Sequence, residues 1–354
     1  MEITENRQYT KMISSLYEDF PYWDRLDGKT VLLSGASGMI GSLLTDAIML
    51  RNRTLEKPGK LIALGRSRET AEKRFAQWMG SPDFAFLAHD ICEPLPSLPW
   101  RPDYFIHGAS TTHPVAYASE PVNTILANIL GTHSLLEAAS EHAGSRFLLL
   151  SSVEVYGENR GDAEYFQEDY CGYLDCNTLR AGYPEGKRVS EAMCQAYIKE
   201  KGVDAVIIRL PRCYGPTMRM SDTKAISQFI KKGLAGEDIV LKSEGNQFYS
   251  YAFAADAVLG LLYVLTGGAC GAAYNLADSG SDITLKELAG LVAGTAGSKV
   301  VFELPSETER AGYSTATRAV MRGERLKALG WKPRYDIKTG IQFTIGMLRN
   351  ELGI

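Results

Sequence analysis

Lys29-Thr30-Val31-Leu32-Leu33-Ser34-Gly35-Ala36-Ser37-Gly38-Met39-Ile40-Gly41 joins a short apolar run to three glycines spaced GxxGxxG. A run this short, ending in a turn, marks a strand buried on both faces of a parallel sheet. The segment Ser42–Leu50 that follows is amphipathic and predicts a helix. Strand, glycine turn and helix in this order are the context in which such a pattern carries meaning. Gly35 permits the tight turn, Gly38 lets the backbone approach a pyrophosphate, and Gly41 lets the helix pack closely on the strand. The helix start, through Ser37, Met39 and Ile40, turns its N–H groups to the phosphates.

Outward from this unit, strands and helices alternate. Lys60–Leu64 predicts a second strand and ends at Gly65-Arg66. An acidic residue there binds the adenosine ribose of NAD, whereas an arginine accepts the 2′-phosphate of NADP, so Arg66 alone leans to NADP. Phe84–Leu87 is a third strand, with Asp90 and Ile91 beyond it, and Tyr104–His107 a fourth, opening into Gly108-Ala109-Ser110. Small residues such as Ala109 and Ser110 at a strand end admit a flat ligand close to the backbone. A helix over 128–139, a strand over Arg146–Leu150, a helix through Lys187 and the strand Ala205–Leu210 follow. This alternation predicts an α/β fold: a Rossmann-type doubly wound parallel sheet with a smaller C-terminal α/β substrate domain.

Residues 28–210, with later returning segments, are expected to form the dinucleotide-binding domain, and 211–354 mainly the substrate-binding one. In the second part the alternation loosens: helices are expected over 226–234, 256–265 and 284–293, and short strands over 239–242 and 273–276. Residues 1–27 read as an N-terminal helical extension, with Ile13, Leu16, Tyr17 and Phe20 on one face.

Two further motifs supply chemistry. Ser151-Ser152-Val153-Glu154-Val155-Tyr156-Gly157 reads as a strand end carrying a hydroxyl and a carboxylate into a cleft. In extended backbone Ser152 and Glu154 point to the same side. Tyr183-Pro184-Glu185-Gly186-Lys187 places a phenol and an ammonium one helical turn apart. An ammonium beside a phenol lowers its pKa from about 10 towards neutrality. Tyr183 is then able to take a hydroxyl proton while hydride leaves the same carbon, with Ser152 sharing that hydroxyl and Lys187 holding the nicotinamide ribose.

The chain has 354 residues, 45% hydrophobic and 23% charged, with a net charge of -4. That balance offers no electrostatic case for nucleic acid or an anionic membrane. No apolar run approaches the roughly 20 residues a bilayer requires, and the N-terminus lacks the basic and apolar regions of a signal peptide. A cytoplasmic protein is expected, its six cysteines reduced and structural. Neither these nor the five histidines show a metal-ligand spacing, so no metal is expected.

GASGMIG, HDICEPL, HGAS, LSSVEVYG, RAGYPEGKRVSEAMCQAY, RLPRCYGP and LGW together resemble the extended short-chain dehydrogenase/reductases, across most of the chain. The pattern is most similar to UDP-glucuronate decarboxylases, with dTDP-glucose 4,6-dehydratases and sugar-nucleotide 4-epimerases behind. The resemblance implies a tightly held NAD, with NADP the alternative that Arg66 raises. It also implies a homodimer through a four-helix bundle, supplied by helices at 123–139 and 183–198.

Catalytic roles follow from it for Ser152, Tyr183 and Lys187, and for Glu154, which decarboxylases and dehydratases carry and 4-epimerases generally lack. Val153 stands where dTDP-glucose dehydratases have an acid, which counts against that elimination. Among substrate residues, Thr111 and Asn128 are expected beside a nucleotide sugar. Arg212 replaces the family's usual asparagine, Tyr249 stands where an arginine pairs with the diphosphate, and Arg318 matches a further arginine near the nucleotide. The expected enzyme oxidises carbon 4 of a nucleotide-linked uronic acid and decarboxylates it. A 4,6-dehydratase or epimerase is the alternative, and a non-catalytic dinucleotide sensor the alternative of another class.

Overall fold

The computed structural model describes residues 3–110, 112, 119–303 and 317–353. Thr111, one of the expected substrate residues, lies outside them. β1 (Thr30–Ser34), β2 (Lys60–Gly65), β3 (Phe84–Ala88), β4 (Tyr104–His107), β5 (Arg146–Ser152) and β6 (Asp204–Leu210) form a parallel sheet in the spatial order 3-2-1-4-5-6. All five residues of β1 are buried, which is why its sequence is an unbroken apolar run rather than an alternating one. The order reverses between β1 and β4, where Leu33 faces Ile106 and Ser34 faces His107. In such a sheet ligands bind outside the carboxyl ends of the strands, beside that reversal.

After β6 the chain leaves this sheet. β7 (Arg212–Tyr214) and β9 (Phe248–Phe253) run parallel, and β9 also pairs with β11 (Asp282–Thr284) and β13 (Arg318–Ala319). β8 (Ile239–Leu241) and β12 (Val300–Phe302) make a separate parallel pair. The strand expected over 273–276 does not belong to this looser material. As β10 (Ala273–Asn275) it returns to the large sheet, with Ala273 facing Ile207 of β6. The segment expected as a helix over 256–265 returns too: it packs beside the helix that leaves the glycine turn.

The helices are α1 (Arg7–Asp19), α2 (Met39–Asn52), α3 (Arg68–Arg74), α4 (Pro121–Ser140), α5 (Gly182–Lys201), α6 (Ala225–Leu234), α7 (Ala254–Gly267) and α8 (Leu285–Ala296). α2 corrects the amphipathic expectation, for every residue from Gly41 to Met49 is buried. α7 covers it on one side and α1 on another. The side chain of Asn6 caps α1, accepting from the N–H groups of Gln8 and Tyr9. Tyr9, Met12, Ile13 and Leu16 then form one buried stripe at helical spacing. Each contributes about 1.5–3 kcal/mol on removal from water.

A buried charge fixes the docking of α1. Asp46 of α2 is fully buried. It accepts hydrogen bonds from the Tyr9 hydroxyl at 2.7 Å, the Arg74 guanidinium at 2.6 Å and the Trp78 indole at 2.9 Å. A carboxylate removed from water is tolerated only when satisfied in this way. The extension is thereby part of the packing behind the glycine turn.

Candidate active site

The turn between β1 and α2 is closed tightly. Gly35 has φ 72°, a conformation that favours glycine. A Cβ there would lie 2.7 Å from the Gly108 carbonyl and the Ala109 nitrogen. A Cβ on Gly41 would lie 2.5 Å from the Gly35 carbonyl oxygen. Gly38 is the N-cap of α2, so the first N–H groups of that helix, which have no partner within it, open to the carboxyl edge of the sheet. Beneath them the Ser34 hydroxyl accepts from the Ala109 N–H at 3.2 Å and lies 2.8 Å from Nδ1 of the buried His107.

A cleft of about 1570 Å³ begins at this turn. Gly35, Ser37, Gly38, Met39, Ile40 and Gly41 line it. Arg66, Asp90, Ile91, Ala109 and Ser110 do so as well. Arg66 is exposed, and the nearby Asp90 carboxyl is held below its ordinary range, first by the Cys92 N–H and less by Arg66. The close turn, the open helix start and the small residues at Gly108–Ser110 fit a dinucleotide: backbone is brought to where a pyrophosphate would lie, with no side chain in between. Seven lysines and arginines line the whole cleft against three aspartates and glutamates, in a chain whose net charge is -4. A polyanionic ligand matches that reversal of sign.

Ser152, Val153, Glu154, Tyr183 and Lys187 line the same cleft. Their local geometry departs from expectation in two ways. The backbone after Ser152 is not extended, because Val153–Tyr156 forms a 3₁₀ turn with Ser152 as its N-cap. The Ser152 hydroxyl accepts from the Glu154 N–H at 3.2 Å. Glu154 therefore reaches the cleft from a turn, not by strand alternation.

The phenol is the second departure. Tyr183 and Ser152 are hydrogen-bonded, and burial raises the Tyr183 pKa above its ordinary value, with that bond opposing. Lys187 does not lower it here, for its Nζ lies 6.0 Å from the ring and donates to the Leu150 carbonyl at 2.9 Å. Burial pushes Lys187 itself down to about 8, with Glu191 opposing. The resting pair is thus a neutral phenol beside a buried, easily discharged amine.

Substrate-side expectations divide. Arg212 and Tyr249 line the cleft, the guanidinium 3.6 Å above the ring. Asn128 does not line it. It is fully buried, its Nδ2 donating to the Thr124 carbonyl at 2.8 Å and its Oδ1 accepting from Ser110 at 3.0 Å. Gly186 of α5 packs on the Asn128 side chain, so that side chain supports the cleft wall from behind. Arg318 is also set apart from the lining, donating to the Glu164 carbonyl at 2.8 Å.

Three residues carried no assignment in the sequence. Arg219 donates to the Ser37 carbonyl and hydroxyl, both at 2.9 Å, and Thr217 donates to the Met39 carbonyl at 2.9 Å. The segment after β7 thus ties the second part of the chain to the glycine turn, 182 residues away in sequence for Arg219. Arg180 pairs with Glu154 at 3.5 Å. Only its place in the segment before Tyr183 marked it.

The family model for the NAD dependent epimerase/dehydratase family matches residues 31–277. UDP-glucuronic acid decarboxylase 1 of Xenopus tropicalis is 30% identical over 336 residues, covering 95% of this chain and 76% of that protein. UDP-glucuronic acid decarboxylase 5 of Arabidopsis thaliana is 30% identical over 327 residues, covering 92% of this chain and 90% of that protein. The fold is shared with UDP-glucuronic acid 4-epimerase from Bacillus cereus, solved in complex with UDP-glucuronic acid and NAD. That structure has a TM-score of 0.75 at 20% identity, covering 91% of this chain and 99% of the other. The reversal in strand order, the close glycine turn and the Ser152–Tyr183–Lys187 cluster accord with these matches, and the chain belongs to the NAD-dependent epimerase/dehydratase family.

Proposed function

We propose that this chain is an NAD-dependent decarboxylase of a nucleotide-linked uronic acid. The observation that carries the reading is the hydrogen-bonded Ser152–Tyr183 pair beside buried Lys187, in a cleft that starts at a dinucleotide-type turn. The names of the relatives support the sugar and the reaction. NAD, when bound, accepts hydride from carbon 4 of the sugar, adds positive charge near the phenol and returns the hydride at the end.

With bound NAD adding positive charge, Tyr183 would give up its phenolic proton to solvent, and as the phenolate it would take the proton of the 4-hydroxyl, whose oxygen Ser152 holds in line. With carbon 4 a ketone, the carbon 6 carboxylate is that of a β-keto acid. The bond between carbons 5 and 6 breaks, carbon dioxide leaves, and the electron pair passes into an enolate whose oxygen the Ser152 and Tyr183 hydroxyls stabilise. Carbon 5 then takes a proton from solvent water, the one proton the decarboxylation consumes, and oxygen 4 recovers its proton from Tyr183 when carbon 4 is reduced again. Val153 offers no acid, and decarboxylation of a β-keto acid requires none at that place.

Incubation with UDP-glucuronate is expected to release carbon dioxide and a pentose nucleotide detected by mass spectrometry. Tyr183→Phe is expected to lower turnover by at least about a hundredfold while bound NAD is kept. Full turnover by Tyr183→Phe, or a product that retains carbon 6, would sink the reading.

A cytoplasmic homodimer is part of the proposal. α4 and α5 pack side by side and expose Val122, Leu130 and Val189, an apolar face that suits a four-helix contact with a second copy. Among the described residues no helix is long and apolar enough to cross a membrane. The described cysteines are all free thiols, three of them exposed, as a reducing compartment permits.

A further inference from the structure

Glu154 does not stand alone in the cleft. The Arg180 guanidinium reaches its Oε2 at 3.5 Å and the Arg212 guanidinium reaches its Oε1 at 3.7 Å. Arg212 is further fixed by its stacking on Tyr249. Its Nη1 is buried and has no hydrogen-bond partner among the described residues. Two guanidiniums on one carboxylate leave this cluster with an excess positive charge and at least one donor unused. Neither ion pair is as short as the 2.7–2.9 Å of a fully formed charge-assisted hydrogen bond.

The cluster is beside the reacting oxygen rather than remote from it. Glu154 and Cys213, the neighbour of Arg212, both act electrostatically on the Tyr183 phenol. Glu154 is also two residues from Ser152, within one 3₁₀ turn. On the decarboxylase reading, the carboxylate at carbon 6 is two bonds from carbon 4, the carbon whose hydroxyl meets Tyr183. Lys224, paired with Asp222 at 2.9 Å, and Lys242 also line the cleft.

We propose that Arg180 and Arg212 form a carboxylate-specific subsite that selects a sugar bearing an acid at carbon 6, with Glu154 as the positioning residue that bridges the two guanidiniums. The proposal rests on the decarboxylase reading for the identity of the acid. A planar carboxylate presents two oxygens to two guanidinium edges, the geometry for which arginine is suited and lysine is not. Removing either arginine then weakens the acid-bearing ligand alone, because a neutral hydroxymethyl group makes no charge-assisted bond there. Removing Glu154 brings the two guanidiniums under mutual repulsion and blurs the same selection without touching the ligand.

The test is calorimetric binding in the Tyr183→Phe background, so that turnover does not consume the ligand. Matched pairs of UDP-, CDP-, dTDP- and GDP-sugars are compared, differing only in a carboxylate or a hydroxymethyl group at carbon 6. The parent protein is expected to prefer the acid of its best nucleotide by about tenfold or more. Arg180→Gln and Arg212→Gln are each expected to erase that preference while keeping affinity for the neutral sugar and for the free nucleotide. Arg212→Lys is expected to recover only part of it.

Equal loss for acid, neutral sugar and free nucleotide would assign the guanidiniums to the diphosphate and overturn the proposal. Absence of any acid preference in the parent would overturn it as well. Bound NAD measured in each variant reports folding, and Arg180→Gln leaves the Tyr249 stack intact should Arg212→Gln fold poorly. A clear acid preference without release of carbon dioxide by the unsubstituted protein would refute the reaction and leave the subsite standing.

Discussion

Replacing Gly41 with alanine probes the turn on which the cofactor reading depends. The added Cβ would lie 2.5 Å from the Gly35 oxygen, 2.8 Å from the Ala36 Cα and 2.9 Å from the Ala36 oxygen. All three are backbone atoms, so no rotamer change relieves the contact. Restoring an ordinary 3.4 Å to the oxygen moves the start of α2 by 0.9 Å, or moves the turn by the same amount. Overpacking of this kind costs about 1–3 kcal/mol, against which alanine in a helix gains up to about 1 kcal/mol.

Gly290 in α8 is the matched control, because a Cβ there meets nothing within 4 Å. Gly290→Ala is expected to stabilise by about 0.5–1 kcal/mol. The same chemical change is thus expected to differ in sign between the two sites, by about 2 kcal/mol in urea unfolding at constant m. Gly41→Ala is also expected to lose bound NAD on dialysis, since its helix start has moved from the pyrophosphate position. If Gly41→Ala matched Gly290→Ala in stability and kept its NAD, the close approach of α2 to the turn would be refuted.

The buried His107 predicts an acid-side loss of stability. Burial, and less strongly the neighbouring Lys187, pushes its pKa from 6.5 to about 3. The unfolded chain therefore binds a proton that the folded chain refuses between those values, so this contribution is complete above about pH 6.5 and is lost as the pH falls. His107→Asn is expected to flatten the fall of unfolding free energy by about 1.4 kcal/mol per pH unit below about pH 6; an unchanged slope would show that His107 is accessible to protons. For the dimer, Val122→Glu with Leu130→Glu is expected to halve the mass seen by light scattering, and a monomeric parent protein would exclude the interface.

The parts of the fold legible in the sequence were those set by local burial. β1, β2, β4 and β5 are covered on both faces, so their residues read as apolar runs, and Tyr104–His107 falls on its strand without adjustment. Tyr183 and Lys187 were legible because helical spacing alone brings them to one face of α5. What failed depended on partners distant in the chain. α2 is buried all round because α1 and α7 cover it, which its own periodicity does not record. Asn128 faces its own helix and Gly186 instead of a ligand. The 3₁₀ turn at Val153–Tyr156 and the Arg219 tie to Ser37 arise from packing between the two parts of the chain, with no local signature. The expected effect of Lys187 on Tyr183 failed for an electrostatic reason: burial outweighs a charge that faces a carbonyl instead of the phenol.

The late return of β10 and α7 bears on how the chain is made. When Leu210 leaves the ribosome, six strands of the large sheet exist, yet the outer edge of β6 has no neighbour and the apolar side of α2 that faces α7 has no cover. An open parallel edge of this kind is a template for wrong pairing. Both gaps close only when Asn275 has emerged, after the strands and helices of the second part have been synthesised. A fragment ending at Leu210 is thus expected to aggregate rather than to stand as a free nucleotide-binding module.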